Sequence, residues 1–479
     1  MHVFSTLILT IFFAIISAFQ APTVDVAILG AGLSGLSAAK DLANTNRSFI
    51  IFETRDRVGG RVSNVLIPNG GSVDVGAEFI GPTQDRVMNL LDSLGLTTFY
   101  TYNTGNTTIV RNGTRSTFNG SPTSGDVPLS PEGMLQARQA LVQIDQMAAE
   151  LDVDAPWNHT SAVEWDSQTV QTWSTRVAPH PDAQFLISLA MQSIFSAEQR
   201  ELSLLYMLAY VAAAGNGTTR GTLERLVDVV DGAQEQRIEG GTHQIPTRLA
   251  ERLGINNIVL NAPVSAIERR GEAYLISSGT RSVLAQHIVI ALSPPLASRI
   301  NYQPPLPAAR DQLTQRMPMG SVGKAVAIYD TPFWRGMGLN GQAVGDVEAL
   351  GLVFDTSPMN GSFAALTGFI QADSMRRLDV FSEAEIIREL TDDLVRYFGD
   401  RASNVSHWVI QRWDREQYSR GGPAAYGPPG VLTSYGPFLR EDHQNIHFAG
   451  SESSTFWVGY MDGAIRSGER VAAEILRTN

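Results

Sequence analysis

Between Val24 and Glu53 the residue order leaves the chain few ways to fold. Val24 to Leu29 is a short run of mostly apolar residues, suited to a buried strand. It passes directly into Gly30-Ala-Gly32-Leu-Ser-Gly35 and then into a helix-period segment carrying Leu33, Leu36, Ala39 and Leu42. Ser48 to Phe52 reads as a second strand, and Glu53 follows it. In a strand, turn and helix of this kind the first glycine permits the tight turn and the second lets backbone approach a pyrophosphate. The third brings the helix close onto the strand. The helix N-terminus then faces phosphate, and an acid after the second strand can accept hydrogen bonds from ribose hydroxyls. The expectation is an α/β fold with a dinucleotide at the edge of a parallel sheet.

The glycine turn alone leaves NAD and FAD open. The stretch after the acid, Glu53-Thr-Arg55-Asp-Arg57-Val-Gly59-Gly60-Arg61, sets three arginines around a glycine pair. That places cations and open backbone amides beside a second length of pyrophosphate, which disfavours an NAD-linked dehydrogenase. Composition narrows the chemistry further. The chain has no cysteine, so disulfides, thiolate metal centres, iron–sulfur clusters, a catalytic thiol and any cysteine-tethered cofactor are excluded. A net charge of −12 disfavours nucleic acid and anionic lipid as partners. The histidines show neither a His-Glu-x-x-His motif nor helical pairing with acids, so no metal site is expected. His443 and His447 read as loop and strand residues ahead of Ala449. With 479 residues, 43% of them hydrophobic, two or three domains are expected.

Two features bear on compartment. Val3 to Ile16 is an apolar run followed by Ser17 and Ala18, a pattern that predicts a signal peptide over residues 1–18. Sequons occur at Asn46, Asn106, Asn112, Asn119, Asn158, Asn216, Asn360 and Asn404, which favours passage through a secretory lumen and glycosylation there. No second apolar run is long enough to span a bilayer, so no stable membrane span is expected after cleavage.

Four stretches together carry a family resemblance. They are Glu53 to Arg61; Val73-Asp-Val-Gly76-Ala-Glu78-Phe-Ile-Gly81-Pro-Thr-Gln84-Asp-Arg86; Gly320-Ser-Val-Gly-Lys324 running on to Pro332-Phe-Trp334-Arg335; and Phe448-Ala-Gly450-Ser-Glu452 running on to Trp457-Val-Gly459-Tyr460-Met461-Asp-Gly463. In this order they resemble the flavin-containing amine oxidases, monoamine oxidases in particular. The resemblance implies a Rossmann-like FAD-binding domain assembled from discontinuous segments, expected at 19–98, 235–297 and 413–479. The substrate-binding domain, of mixed sheet and helices, is expected at 99–234 and 298–412.

The same resemblance implies residue roles. Gly30, Gly32, Ser34 and Gly35 would hold pyrophosphate, Glu53 the adenosine ribose, and Arg55, Gly60 and Arg61 the phosphate or ribityl side. Val264 would meet adenine, while Gly450, Glu452 and Met461 would contact the ribityl chain, pyrophosphate and ring. Lys324 would act beside the flavin in catalysis, and Tyr460 would form one wall of an aromatic cage around the amine. Gln234 would hydrogen-bond substrate. Where the family carries a flavin-bonding cysteine and a second cage tyrosine, this chain has Gly422 and Pro423, so FAD is expected to be noncovalent. Trp457 or an aromatic from the substrate domain is expected to replace the missing wall.

The implied activity is oxidative deamination of a small amine, with O2 reduced to H2O2. L-amino acid oxidase and polyamine oxidase remain open within the fold, through Arg176 or Glu235, which no motif places. A secreted flavoprotein with mainly a binding role is the alternative of another class. The partners expected are the amine and O2, with a homodimer admitted.

Overall fold

The computed structural model describes residues 21–68, 70–121, 123, 126–279 and 281–478, so the apolar run and its cleavage point lie outside the described residues. β1 (Thr23–Leu29) is buried through its last four residues. α1 (Leu33–Ala43) follows the glycine turn, and β2 (Phe49–Phe52) returns parallel to β1, with Leu29 opposite Phe52. On the other edge β1 pairs in parallel with β3 (Arg281–Ile290), a strand more than two hundred residues away in the chain. The sheet runs from Ile258–Val259 through β2, β1 and β3 to Ala273–Ser278, Ala266–Arg270 and Asn301–Gln303. The strand Ile446–Phe448 joins it in parallel against the last residues of β3. After β2 the chain therefore leaves its first sheet and returns to it twice, over 258–303 and again at 446–448.

Asn301–Gln303 lies past the expected end of that segment at residue 297, and it pairs with Ala266–Arg270. Its three residues carry no strand periodicity. Its place comes from the short helix Pro294–Ala297, which feeds it onto the sheet edge.

The C-terminal helix Met461–Arg477 packs against α1 beneath the sheet. Ile465, Val471, Ala472 and Ile475 lie on its buried face, in one core with Leu36, Ala39 and Leu42. The two helices approach closely at small residues: the hydroxyls of Ser34 and Ser467 are 2.8 Å apart. A Cβ added to Gly468 would lie 2.2 Å from the Ser34 carbonyl oxygen.

A second, seven-stranded sheet has β4 (Val322–Tyr329) one place in from its edge strand His407–Arg412. All eight residues of β4 are buried, because the sheet is covered on both faces. Pro181–Phe195 lies against the strand Ala364–Gln371 of this sheet, Pro131–Ala149 packs on that helix, and α2 (Leu204–Ala212) packs in turn on Pro131–Ala149. α2 reads Leu-Leu-Tyr-Met-Leu-Ala-Tyr-Val-Ala and is buried almost all round, as a helix apolar on every face must be. A small third sheet pairs Phe79–Ile80 and Thr98–Tyr100 with Gln236–Ile238, setting Phe79 opposite Arg237.

Candidate active site

A cavity of about 440 Å³ lies between the ends of the first sheet and the face of the second. At one end is the glycine turn. Gly30 has φ +104, and a Cβ there would meet the Ala291 carbonyl oxygen at 2.8 Å. Gly32 caps α1, and a Cβ on it would find nothing nearer than the Gly59 oxygen at 4.0 Å. That face of Gly32 lines the cavity. Gly35 does not. Its Cβ would lie 2.0 Å from the Gly30 carbonyl oxygen, so Gly35 serves helix–strand packing and is corrected from a ligand-contacting residue to a structural one.

Glu53 is buried at the end of β2. Its Oε2 accepts the Ala31 N–H at 2.8 Å and its Oε1 the Arg55 N–H at 2.9 Å, which ties the acid to the glycine turn. Arg55 is ion-paired with Glu416 and donates to Ser419 Oγ at 2.8 Å. Arg61 donates to Glu452 Oε1 and to the Pro423 carbonyl, each at 2.7 Å. Glu452 is buried, accepts the Ala425 N–H, and does not line the cavity. It is therefore corrected from a cofactor contact to the residue that orients Arg61. Burial acts to raise the Glu452 carboxyl, but Arg61 and the backbone N–H groups hold it below its ordinary range. Burial acts in turn to lower the Arg61 guanidinium, and Glu452 more than offsets it.

Ser34, Gly60, Val264, Gly450 and Met461 all line the same cavity. The Gly450 N–H donates to Ser34 Oγ at 2.9 Å, joining the two chain ends across the site. FAD is the group these residues suit. The open face at Gly32, the positive-φ pair Gly59 and Gly60, and arginines beside a helix N-terminus form a cradle for a pyrophosphate. Glu53 stands where a ribose would be held.

The other end of the cavity is aromatic, with Phe79, Phe354, Phe369, Trp413, Tyr210 and Tyr460 on its walls. Lys324, on the fully buried β4, is itself 2% exposed, so its charge needs partners within the protein. Its Nζ lies 2.5 Å from Glu78 Oε2 and 3.1 Å from the Gly76 carbonyl oxygen. Glu78 Oε1 takes Arg237 Nε at 2.8 Å, so one buried carboxylate serves two cations. Asp74 lies close by and accepts from the Thr242 N–H and hydroxyl. Burial, then the Glu78 charge, pushes the Asp74 carboxyl up to about 6 against the pull of Lys324 and Arg237.

Tyr460 and Pro423 line the aromatic end, as does Gln234. The Gln234 amide donates to the Leu226 carbonyl, while its Oε1 is buried without a partner. Trp457 is corrected. It is 1% exposed and absent from the cavity wall, with its ring edge-on behind Tyr460 at 4.9 Å and its indole N–H on Thr83 Oγ1. The aromatic that does face the cavity beside Tyr460 is Tyr210 of α2, with ring centroids 6.3 Å apart. Neither Arg176 nor Glu235 lines the cavity.

Tyr210 lies within 99–234, the segment from which a substrate-domain aromatic is expected, but nothing in residue order singles it out, and no role is expected from the sequence for Glu78, Arg237 or Asp74. Glu78 and Asp74 did stand in a stretch already singled out, each an acid in an apolar setting. Arg237 had no such signal, because strand pairing alone sets it opposite Phe79.

Comparison with known proteins agrees with this geometry. The family described as flavin containing amine oxidoreductase matches residues 33–476. The amine oxidase [flavin-containing] B of Sus scrofa is 35% identical over 456 residues, 94% of this chain and 86% of that protein. Among solved structures, a putrescine oxidase with putrescine bound superposes with a TM-score of 0.90 at 30% identity, over 96% of this chain and 100% of that one. The cyclohexylamine oxidase of Brevibacterium oxydans IH-35A gives 0.88 at 34%, over 95% and 99%.

Proposed function

The chain belongs to the flavin-containing amine oxidoreductases, and from that premise we propose that its substrate is a small monoamine, taken up uncharged and oxidised over a noncovalent FAD. The observation that carries this reading is that Lys324, Arg61 and Arg55 of the cavity lining are each paired with an acid. Lys324 and Arg237 share Glu78, Arg61 is held by Glu452, and Arg55 by Glu416. An amino acid carboxylate finds no spare cation among these groups, and a second ammonium finds no spare acid. Arg299, the remaining cation of the lining, is exposed beside Leu296 and Ile300.

Held between the glycine turn and the N-terminal end of the C-terminal helix, by Gly30, Gly32, Ser34, Gly60, Arg61 and Met461, FAD would supply the two-electron redox chemistry for which O2 is the final acceptor. The chain's own residues position the amine. Tyr460 and Tyr210 exclude water, and burial raises both phenols, so each ring stays neutral. The unpaired Gln234 Oε1 accepts an amine N–H. Lys324, fixed by Glu78 and the Gly76 carbonyl, offers a preorganised N–H donor on the cavity wall. Water then hydrolyses the released imine.

Peroxide release from benzylamine, a long polyamine and an aromatic L-amino acid tests the choice. Benzylamine is expected to lead in kcat/KM by roughly tenfold or more, about the value of one unpaired buried group, with the rate rising toward the amine's pKa. Preference for either of the other two would reject the reading.

We further propose that the chain is secreted after removal of residues 1–18 and is glycosylated. Asn46, Asn112, Asn119, Asn158, Asn360 and Asn404 are exposed, which supports it. Asn106 and Asn216 are half-buried, and the Asn216 amide is engaged with Asp85. A mass loss on enzymatic deglycosylation of protein from a secreting host tests this, and an unchanged mass would end it.

A further inference from the structure

Where the C-terminal helix meets the strand Ile446–Phe448, there is a cluster that amine oxidation does not use. His447 is 1% exposed. Its Nδ1 lies 2.8 Å from Asp442 Oδ2 and 3.8 Å from Glu474 Oε2. The close Nδ1–Oδ2 contact is an ion pair that lacks hydrogen-bond geometry at Nδ1, and Asp442 Oδ1 and Glu474 Oε2 are likewise left without a geometric hydrogen-bond partner. An oxygen so near that fails to hydrogen-bond lies off the ring's N–H axis. A shared proton would draw its acceptor onto that axis. A metal ion occupies the axis itself and spreads its other ligands at wide angles around it.

The surroundings fit the second possibility. One donor atom from each residue lies within 4.8 Å of the other two, close enough for one ion to bridge them after small rotations, with bonds of about 2.0–2.2 Å. His447 Nε2 is 3.2 Å from His287 Nδ1, which orients the imidazole. Arg470 donates to Glu474 Oε1 at 2.6 Å and leaves Oε2 turned inward. Backing contacts of this sort accompany ligating histidines and carboxylates. The carboxylate side chains are 30% and 24% exposed, so an ion has a way in.

We propose that Asp442, His447 and Glu474 form a divalent-cation site with one nitrogen and two oxygen donors, suited to an ion such as Zn²⁺. It ties the far end of the C-terminal helix to the strand that leads into Gly450, a clamp behind the cofactor cavity. Spacing along the chain hides it, because the donors sit in a loop, a strand and a helix.

The test is calorimetric titration of chelator-treated holoprotein with Zn²⁺ at neutral pH. One equivalent is expected to bind saturably, and Asp442→Asn and Glu474→Gln are each expected to weaken it by roughly tenfold or more. Neither residue lines the cavity, so amine turnover at saturating FAD is expected to be unchanged in both. X-ray absorption of the zinc-loaded protein is expected to show a nitrogen and oxygen shell at about 2.0–2.2 Å. Absence of saturable uptake, or uptake that both variants leave unaltered, overturns the proposal.

Discussion

Gly32 and Gly35 share one turn for different reasons, and their alanine variants are expected to part accordingly. A methyl on Gly32 enters the cavity without meeting protein, its nearest neighbour being 4.0 Å away. Gly32→Ala should fold with nearly unchanged Tm and bind FAD roughly tenfold or more weakly, since it occupies the space a pyrophosphate needs. Gly35→Ala drives a methyl to 2.0 Å from the Gly30 carbonyl oxygen and should lower stability by about 1–3 kcal/mol, seen as an earlier denaturant midpoint. The charge cluster divides in the same way. Lys324→Met leaves Glu78 paired with Arg237, so the protein should fold, while reoxidation of the reduced enzyme by O2 should slow by roughly tenfold or more on loss of one preorganised donor. Asp74 sets a pH dependence. Its folded pKa of about 6 stands above the ordinary 3.8. Its contribution is thus present in full below the unfolded value and is lost as pH rises through about 6. Asp74→Asn should flatten that fall in stability, measured as denaturant midpoints on either side of it.

At the scale of elements, the site depends on how closely two helices approach. α1 carries the glycine turn and the C-terminal helix carries Met461, and they touch at Ser34, Ser467 and Gly468. A side chain at Gly468 would collide with the Ser34 backbone, so Gly468→Ala should separate the helices and shift the Gly450 N–H from Ser34 Oγ. The expected result is weaker FAD binding from a substitution outside the cavity wall, read by flavin fluorescence titration. Unaltered affinity would show that the helix contact does not set the cradle. α2 contributes at the same scale. Because it is buried almost all round, Tyr210 is one core aromatic among several by sequence, and only its place beside Tyr460 gives it a face on the cavity.

For the whole molecule, the first sheet takes strands from near both ends of the chain and from its middle, so cofactor and fold stability should be linked. Gly422 cannot form a thioether and the chain has no cysteine, so acid precipitation is expected to release all the flavin into solution. FAD at about a hundred times its Kd should stabilise the protein by roughly 2.7 kcal/mol, with a Tm that follows FAD concentration. A flavin that stays with the precipitate would contradict the noncovalent reading.

The strand, turn and helix at the front, the acid after β2, the arginine and glycine stretch, and the absence of any cysteine chemistry could be read from residue order alone. Each is a local requirement of backbone conformation or side-chain type, written within a few positions. What only the tertiary structure decided involves groups far apart in the chain. Glu78 bridges Lys324 and Arg237, Glu452 steadies Arg61 rather than facing the cavity, and Tyr210 instead of Trp457 stands beside Tyr460. Periodicity shows that a residue is buried. Which distant charge or ring shares its low-dielectric surroundings depends on strand register and helix packing, and these exist only once the chain has closed on itself.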